Sequence, residues 1–192
     1  MIHSPSTRLL SSHDVHRMRE AGILSESDRV ELIHGRLITM SPKGSKHSNA
    51  VNRIARLLTM TLHDRAVVHN QNSIHLADHS EPEPDLTLLR PPLAQYDERL
   101  PSPADILLVI EVADSSLEYD RTEKVALDGA AQLPEYWIVN LRDQELEVYQ
   151  QPVPDGYLVK IRKRLGDEVA LPGLDAVLAV AEMFPPQVRP GS

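Results

Sequence analysis

The sequence predicts an α/β fold, a mixed central β-sheet flanked by helices, in a single domain. Three observations lead there. Residues 106–110 and 112 form an apolar run too hydrophobic for a sheet edge, so this strand is expected to be central, with both faces covered. Residues 105–140 read as strand, helix, strand, the crossover unit of an α/β protein. Short β-rich runs bounded by turn residues alternate with one long stretch of helical period over the rest of the chain.

The elements follow in order. Residues 12–22 suit a short helix, capped by Ser12 and ended by Gly22. Residues 29–33 and 36–40, separated by His34-Gly35, read as a hairpin. A helix is expected over 46–63, its buried stripe marked by Val51, Ile54, Leu58 and Leu62. Two extended pieces near 67–69 and 73–76 precede Glu81-Pro-Glu-Pro84, which enters a strand over 85–89. After the strand over 105–112 come a helix over 118–131 and a strand over 135–140. An alternating, edge-side antiparallel strand follows over 144–149, then a strand over 157–164 and a last short helix near 176–183. The core is expected over 10–183, and the tail over 185–192 is expected to fray.

Composition narrows the function. No apolar run approaches about 18 residues, and residues 1–10 lack the pattern of a signal peptide, so no membrane partner and a cytoplasmic location are expected. The absence of cysteine excludes disulfides, thiolate metal sites and cysteine nucleophiles. A net charge of −8 argues against coating nucleic acid by charge alone. The distribution is less uniform than the sum. No acid lies between Glu31 and Asp64, where Arg36, Lys43, Lys46, Arg53 and Arg56 fall, while residues 105–128 are dominated by acids. There is no P-loop, GxGxxG, GxSxG, HExxH or HxH, and neither His13/His16 nor His75/His79 finds a third zinc ligand.

Several residues carry possible chemistry. Glu111 interrupts the central apolar run, and an acid there is costly to bury unless paired or bound to a cation. It lies at the strand's C-terminal end, where open α/β sheets present ligands; the bland alternative is a salt bridge to Arg121. Asp85 opens a second apolar strand after Pro84, and two carboxylates at neighbouring strand ends can share a hard divalent cation. Lys124, on the helix after Glu111, can steady an attacking water or charge on phosphorus, or can be a surface lysine paired with Asp120. Glu31 is a further ligand or a solvated strand acid. His47, in the first turn of its helix, is a phosphate contact or a satisfied histidine.

In order, these pieces resemble a known family. They are Val30-Glu-Leu-Ile-His-Gly-Arg-Leu-Ile-Thr-Met-Ser-Pro42, His47, Glu83-Pro-Asp85, Ile110-Glu-Val-Ala-Asp-Ser-Ser116, Asp120 with Lys124, and Leu133-Pro-Glu-Tyr-Trp-Ile-Val139. The order is similar to that of the bacterial restriction endonuclease family, once a domain of unknown function, within the PD-(D/E)XK nucleases. The resemblance implies a restriction-endonuclease-like fold. It implies a nuclease that cuts phosphodiesters, with DNA as the expected substrate and Mg²⁺ or Mn²⁺ as cofactor. Asp85 and Glu111 then hold the metal with the main-chain carbonyl of Val112, and Lys124 acts on the water. The usual motif lysine is replaced by Ala113, and the resemblance moves that role to Lys124. Glu31 and His47 join as additional members. Lys43, Lys46, Arg53 and Arg56 are expected to meet the nucleic-acid backbone, and a homodimer is the expected assembly. Two alternatives stay open: a binding or regulatory protein of the same fold without catalysis, and a Mg²⁺-dependent hydrolase of a small phosphate ester.

Overall fold

The computed structural model describes residues 7–25, 27–40 and 42–185. Helix α1 (Ser12–Glu20) is capped by Ser11, whose hydroxyl accepts from the Asp14 amide while the Asp14 carboxylate accepts from the Ser11 backbone. Strands β1 (Val30–Ile33) and β2 (Arg36–Thr39) pair as the expected hairpin, and its turn places His34 and Gly35 at φ 49° and 74°. These left-handed angles match the twist of a tight hairpin, which is why glycine stands second. Helix α2 (Ser45–Leu62) buries Val51, Ile54, Leu58 and Leu62, as its periodicity requires.

Six further strands form the central sheet. In spatial order they are β3 (Val67–Asn70), β4 (Leu86–Leu89), β5 (Ile106–Ala113), β6 (Glu135–Asn140), β7 (Glu145–Val153) and β8 (Gly156–Lys163). Within this sheet β5 and β6 run parallel, and the other neighbours are antiparallel. Every residue of β5 is buried because both its faces are covered. Ile110 and Val112 pack into the cluster that includes α2, whereas Val109 and Ala113 pack into the cluster on the opposite face. The alternation that would make one face polar is therefore missing from the sequence.

The parallel β5–β6 step needs a crossover, supplied by α3 (Leu117–Tyr119), a π turn (Asp120–Lys124) and α4 (Val125–Ala130). The sequence led to one regular helix here. Instead the Val125 amide donates to the Asp120 carbonyl, five residues back, and widens the turn. Long-range ion pairs grip this turn from two sides: Lys124 reaches Glu31, and Arg121 reaches Glu147. At the far end α4 lies directly on the β7–β8 turn. A Cβ at Gly129 would fall 2.1 Å from the Gly156 carbonyl oxygen, so only glycine lets the helix sit so close.

Three sequence expectations differ in detail. Residues 73–76 form no strand, because their amides donate to loop carbonyls: Ile74 to Pro82, His75 to Pro101 and Leu76 to Ser80. The expected helix near 176–183 is a strand, β10 (Val177–Ala179), followed by a 3₁₀ turn (Val180–Met183). β10 pairs with β9 (Glu168–Ala170), burying Leu178 against the core. β7 lies one strand inside the edge, which β8 forms. Of the tail expected to fray, Pro185 is exposed and residues 186–192 lie outside the described residues.

Candidate active site

The proline-rich segment before Asp85 is tied down by backbone pairing, since the Glu81 amide donates to the Leu32 carbonyl at 2.8 Å. The chain then enters β4 beside β5, and Asp85 meets Glu111 across the gap. The Asp85 amide donates to Glu111 Oε2 at 3.2 Å, and the Val112 amide donates to Asp85 Oδ2 at 3.0 Å. His47, from the first turn of α2, places Nε2 2.9 Å from the same Oδ2. Lys43, from the loop before α2, donates to Oδ1 at 3.1 Å. Burial alone would raise the Asp85 pKa. The His47 hydrogen bond, the Lys43 and His47 charges and the Val112 amide outweigh it and bring the carboxyl down to about 2.

Glu111 is held differently. Its Oε1 is buried without a hydrogen-bond partner, and Lys124 Nζ lies 3.4 Å away, a Coulombic neighbour outside hydrogen-bonding geometry. Burial pushes the Glu111 pKa well above the ordinary carboxylate value. Lys124 opposes that rise, while Asp85, Asp120 and Glu31 add to it. Lys124 itself is 3% exposed and donates to Glu31 Oε2 at 2.6 Å. Burial would lower its pKa, but Glu111 and Glu31 hold it above the free value, so it remains an ammonium. Two more acids share this ground. Burial raises Asp120 to about 6, against a 2.6 Å hydrogen bond from Ser116 and the Lys124 charge. It raises Asp128 to about 7, opposed by Lys124. Asp128 lies behind the wall of a cleft of about 1140 Å³ that Glu31, Lys43, His47, Asp85, Glu111, Asp120 and Lys124 line.

The structure therefore brings Asp85, Glu111, Lys124, Glu31 and His47 to one place. The two bland alternatives fail: Arg121 pairs with Glu147 rather than Glu111, and Lys124 is a buried lysine paired with Glu31 and Glu111 rather than a surface partner of Asp120. The four basic residues assigned to the nucleic-acid backbone separate. Lys43 sits inside the cleft on Asp85 itself. Lys46 is off the cleft wall but reaches Asp114, which is on it, and the Leu141 carbonyl, each at 3.4 Å. Arg53 and Arg56 project from the exposed face of α2, outside the cleft wall, and Arg56 Nε lies 3.5 Å from Met60 Sδ of its own helix. The buried stripe of α2 already dictates this, because residue 53 lies about 200° around the helix from residue 51. Sequence reasoning passed over Asp128 and Gln71, whose amide lies 3.4 Å from Asp85 Oδ1. Asp128 was detectable as the acid four residues after Lys124. Gln71 carries no local signal.

The family model Uma2, described as "Putative restriction endonuclease", matches residues 13–181. The chain belongs to this family. The fold of this Uma2 protein is similar to a crystal structure described as a "putative nuclease belonging to DUF820" from Anabaena variabilis ATCC 29413. The TM-score is 0.66 and the identity 14%, over 86% of this chain and 96% of that one. At that identity the likeness shows the fold, a mixed sheet flanked by helices. A comparison with curated proteins returns no match. Among the described residues no helix is long and apolar enough to cross a membrane.

Proposed function

We propose that this Uma2 protein is a divalent-metal-dependent endonuclease that hydrolyses phosphodiester bonds in DNA. One observation carries the reading: two buried carboxylates from neighbouring strands stand together, one with an oxygen that accepts no hydrogen bond, beside a buried lysine. A buried carboxylate oxygen with an ion-pair neighbour but no hydrogen bond is under-satisfied, and a hard cation at Glu111 Oε1 would relieve that cost. Among the described residues no three His, Asp or Glu side chains group as a complete metal cage. Mg²⁺ and Mn²⁺ use one or two carboxylates plus water and substrate phosphate, which the Asp85–Glu111 pair can supply. Asp85 and Glu111 would hold the ion. The Val112 carbonyl would join them, because in an extended strand a residue's carbonyl and amide share one edge, and the Val112 amide faces Asp85. When bound, the ion polarises the phosphodiester and lowers the pKa of a water.

The chain's own groups do the rest. Lys124 remains protonated, so it serves as a donor and a fixed positive charge rather than a base. It orients the attacking water and stabilises the charge that grows on the phosphoryl oxygens as the water oxygen bonds to phosphorus and the P–O bond to the leaving oxygen breaks, the proton the water gives up passing through solvent to that leaving oxygen. Glu31 fixes the lysine through its 2.6 Å hydrogen bond, and His47 and Lys43 fix Asp85. A cleft of about 1140 Å³ exceeds the roughly 300–1,000 Å³ of small-molecule pockets, which favours a polymer over a small phosphate ester. A homodimer would let two such sites address both strands of a duplex. The test is incubation with DNA and RNA in Mn²⁺, with chelator and Glu111→Gln as controls. Metal-dependent scission abolished in both controls is the expected result. A protein that binds Mn²⁺ and cuts no nucleic acid overturns the proposal in favour of a small-ester or regulatory role.

A further inference from the structure

We infer that a cationic track on strand β8 and the π turn, formed by Arg121, Lys160 and Arg162, is the surface that receives the nucleic-acid backbone. The inference rests on the substrate class proposed above but does not depend on cleavage. The chain carries a net charge of −8, yet residues 156–166 hold four cations, Lys160, Arg162, Lys163 and Arg164, and no acid. Strand register places part of that charge relative to the site. Glu111 pairs with Ile138, Ile138 with Glu147, and Glu147 with Arg162, so the four residues form one row across the sheet. Side chains in a row share a face, and Arg162 therefore leaves the sheet on the same side as Glu111. Three strand spacings separate them, about 14 Å, a span that covers roughly four nucleotide steps of a duplex strand.

The track is built rather than incidental. Glu147 is completely buried in the middle of the row and accepts from Arg121, from Lys160 at 2.7 Å and from the Tyr149 hydroxyl at 2.8 Å. Lys160 also lies 4.9 Å above the Tyr149 ring. One acid thus orders two cations that still reach solvent, with side chains 28% and 36% exposed. Exposed Arg162 adds a third cation to the two that Glu147 holds. The cleft wall carries Arg19, Arg29, Lys43 and Lys124, and the track lies beyond that wall, further along the sheet. Two of its own cations, Lys43 and Lys124, are committed to Asp85, Glu31 and Glu111, and Arg53 and Arg56 lie off its wall. Arg164, just past β8 and 82% exposed, lies 3.5 Å from Glu145 and keeps its guanidinium open to solvent.

The test is equilibrium binding of labelled DNA and RNA duplexes in Ca²⁺, a hard cation that suits the carboxylates, across a salt series. Arg162→Ala combined with Arg164→Ala is compared with wild type and with Arg53→Ala combined with Arg56→Ala. The first pair is expected to weaken binding and reduce the slope of log K against log salt by about 2, roughly 0.9 per lost phosphate contact. The second pair is expected to leave that slope unchanged. Whether DNA or RNA shows the effect assigns the polymer. An unchanged slope in the Arg162/Arg164 variant, an equal loss in the Arg53/Arg56 variant, or a wild type that binds neither duplex overturns the inference. A wild type that binds through this track yet cuts nothing in Mn²⁺ overturns the nuclease reading and leaves the track standing.

Discussion

Glu111 and Glu147 are both buried acids on one face of one sheet, two strands apart in a single row, and they are treated in opposite ways. Glu147 has more donors than it needs. Arg121, Lys160 and Tyr149 surround it, and although burial alone would raise its pKa, their hydrogen bonds bring it down to about 2. Glu111 has fewer: one oxygen accepts from the Asp85 amide, the other has no hydrogen-bond partner, and burial pushes its pKa up. A buried carboxylate that is fully partnered strengthens a fold, whereas one left short of partners at a cleft is poised for a ligand. Burial by itself does not separate the two.

Glu111→Gln should show the largest effect, and on function alone. Turnover in Mn²⁺ is expected to fall by about 10²–10³-fold or more. Stability in urea should stay within about 1 kcal/mol of wild type or rise, because a destabilised charge is removed. A clear loss of stability in metal-free protein would place Glu111 with Glu147. The converse change, Glu147→Ala, is expected to cost about 3 kcal/mol, the low end for breaking a buried pair since Arg121 and Lys160 reach water. Urea midpoints measure it, and a neutral result would remove the distinction.

The pH dependence of stability separates the two regions in one experiment. Glu147 has a lowered folded pKa, so its contribution is present above about 4.5 and is lost as pH falls toward 2. Asp120 and Asp128 have raised folded pKa values, about 6 and 7, because burial disfavours their charge. Their contribution is present at acid pH and is lost as pH rises through those values. The metal-free protein should therefore gain stability as pH falls from 8 to about 5 and lose it below about 4. A profile flat between 5 and 8 would count against the strained acidic centre. Asp128→Asn should produce the smallest change, flattening the limb near pH 7 and shifting stability at pH 8 by about 1 kcal/mol or less, upward.

Much of the fold was legible because its signals are local. The apolar run of β5, the helical stripe of α2 and the His34-Gly35 turn each state their structure in a few residues. Where expectation and structure part, the cause is a partner distant in sequence. Residues 73–76 look like a strand, but the amides of Ile74, His75 and Leu76 go to Pro82, Pro101 and Ser80 rather than to a ladder. The helix after β5 looks regular, yet ion pairs to Glu31 and Glu147 grip its widened turn. Arg53 and Arg56 were assigned by charge alone, although the periodicity of their own helix turns them from the cleft.

The sequence by itself determined the strand–helix–strand unit, the two acids at neighbouring strand starts and ends, and a lysine one helix later. The reason is that an acid inside an apolar run must be paired or functional wherever the rest of the chain goes. It also determined that four cations crowd into residues 160–164. Only the tertiary structure decided what each charge faces. Lys124 meets Glu31 across 93 residues of chain, Lys43 meets Asp85 across 42, and Arg162 enters the Glu111 row through three successive strand pairings. Electrostatic character depends on distance and burial, and neither exists until the hairpin, the crossover and the sheet register have closed around the same cleft.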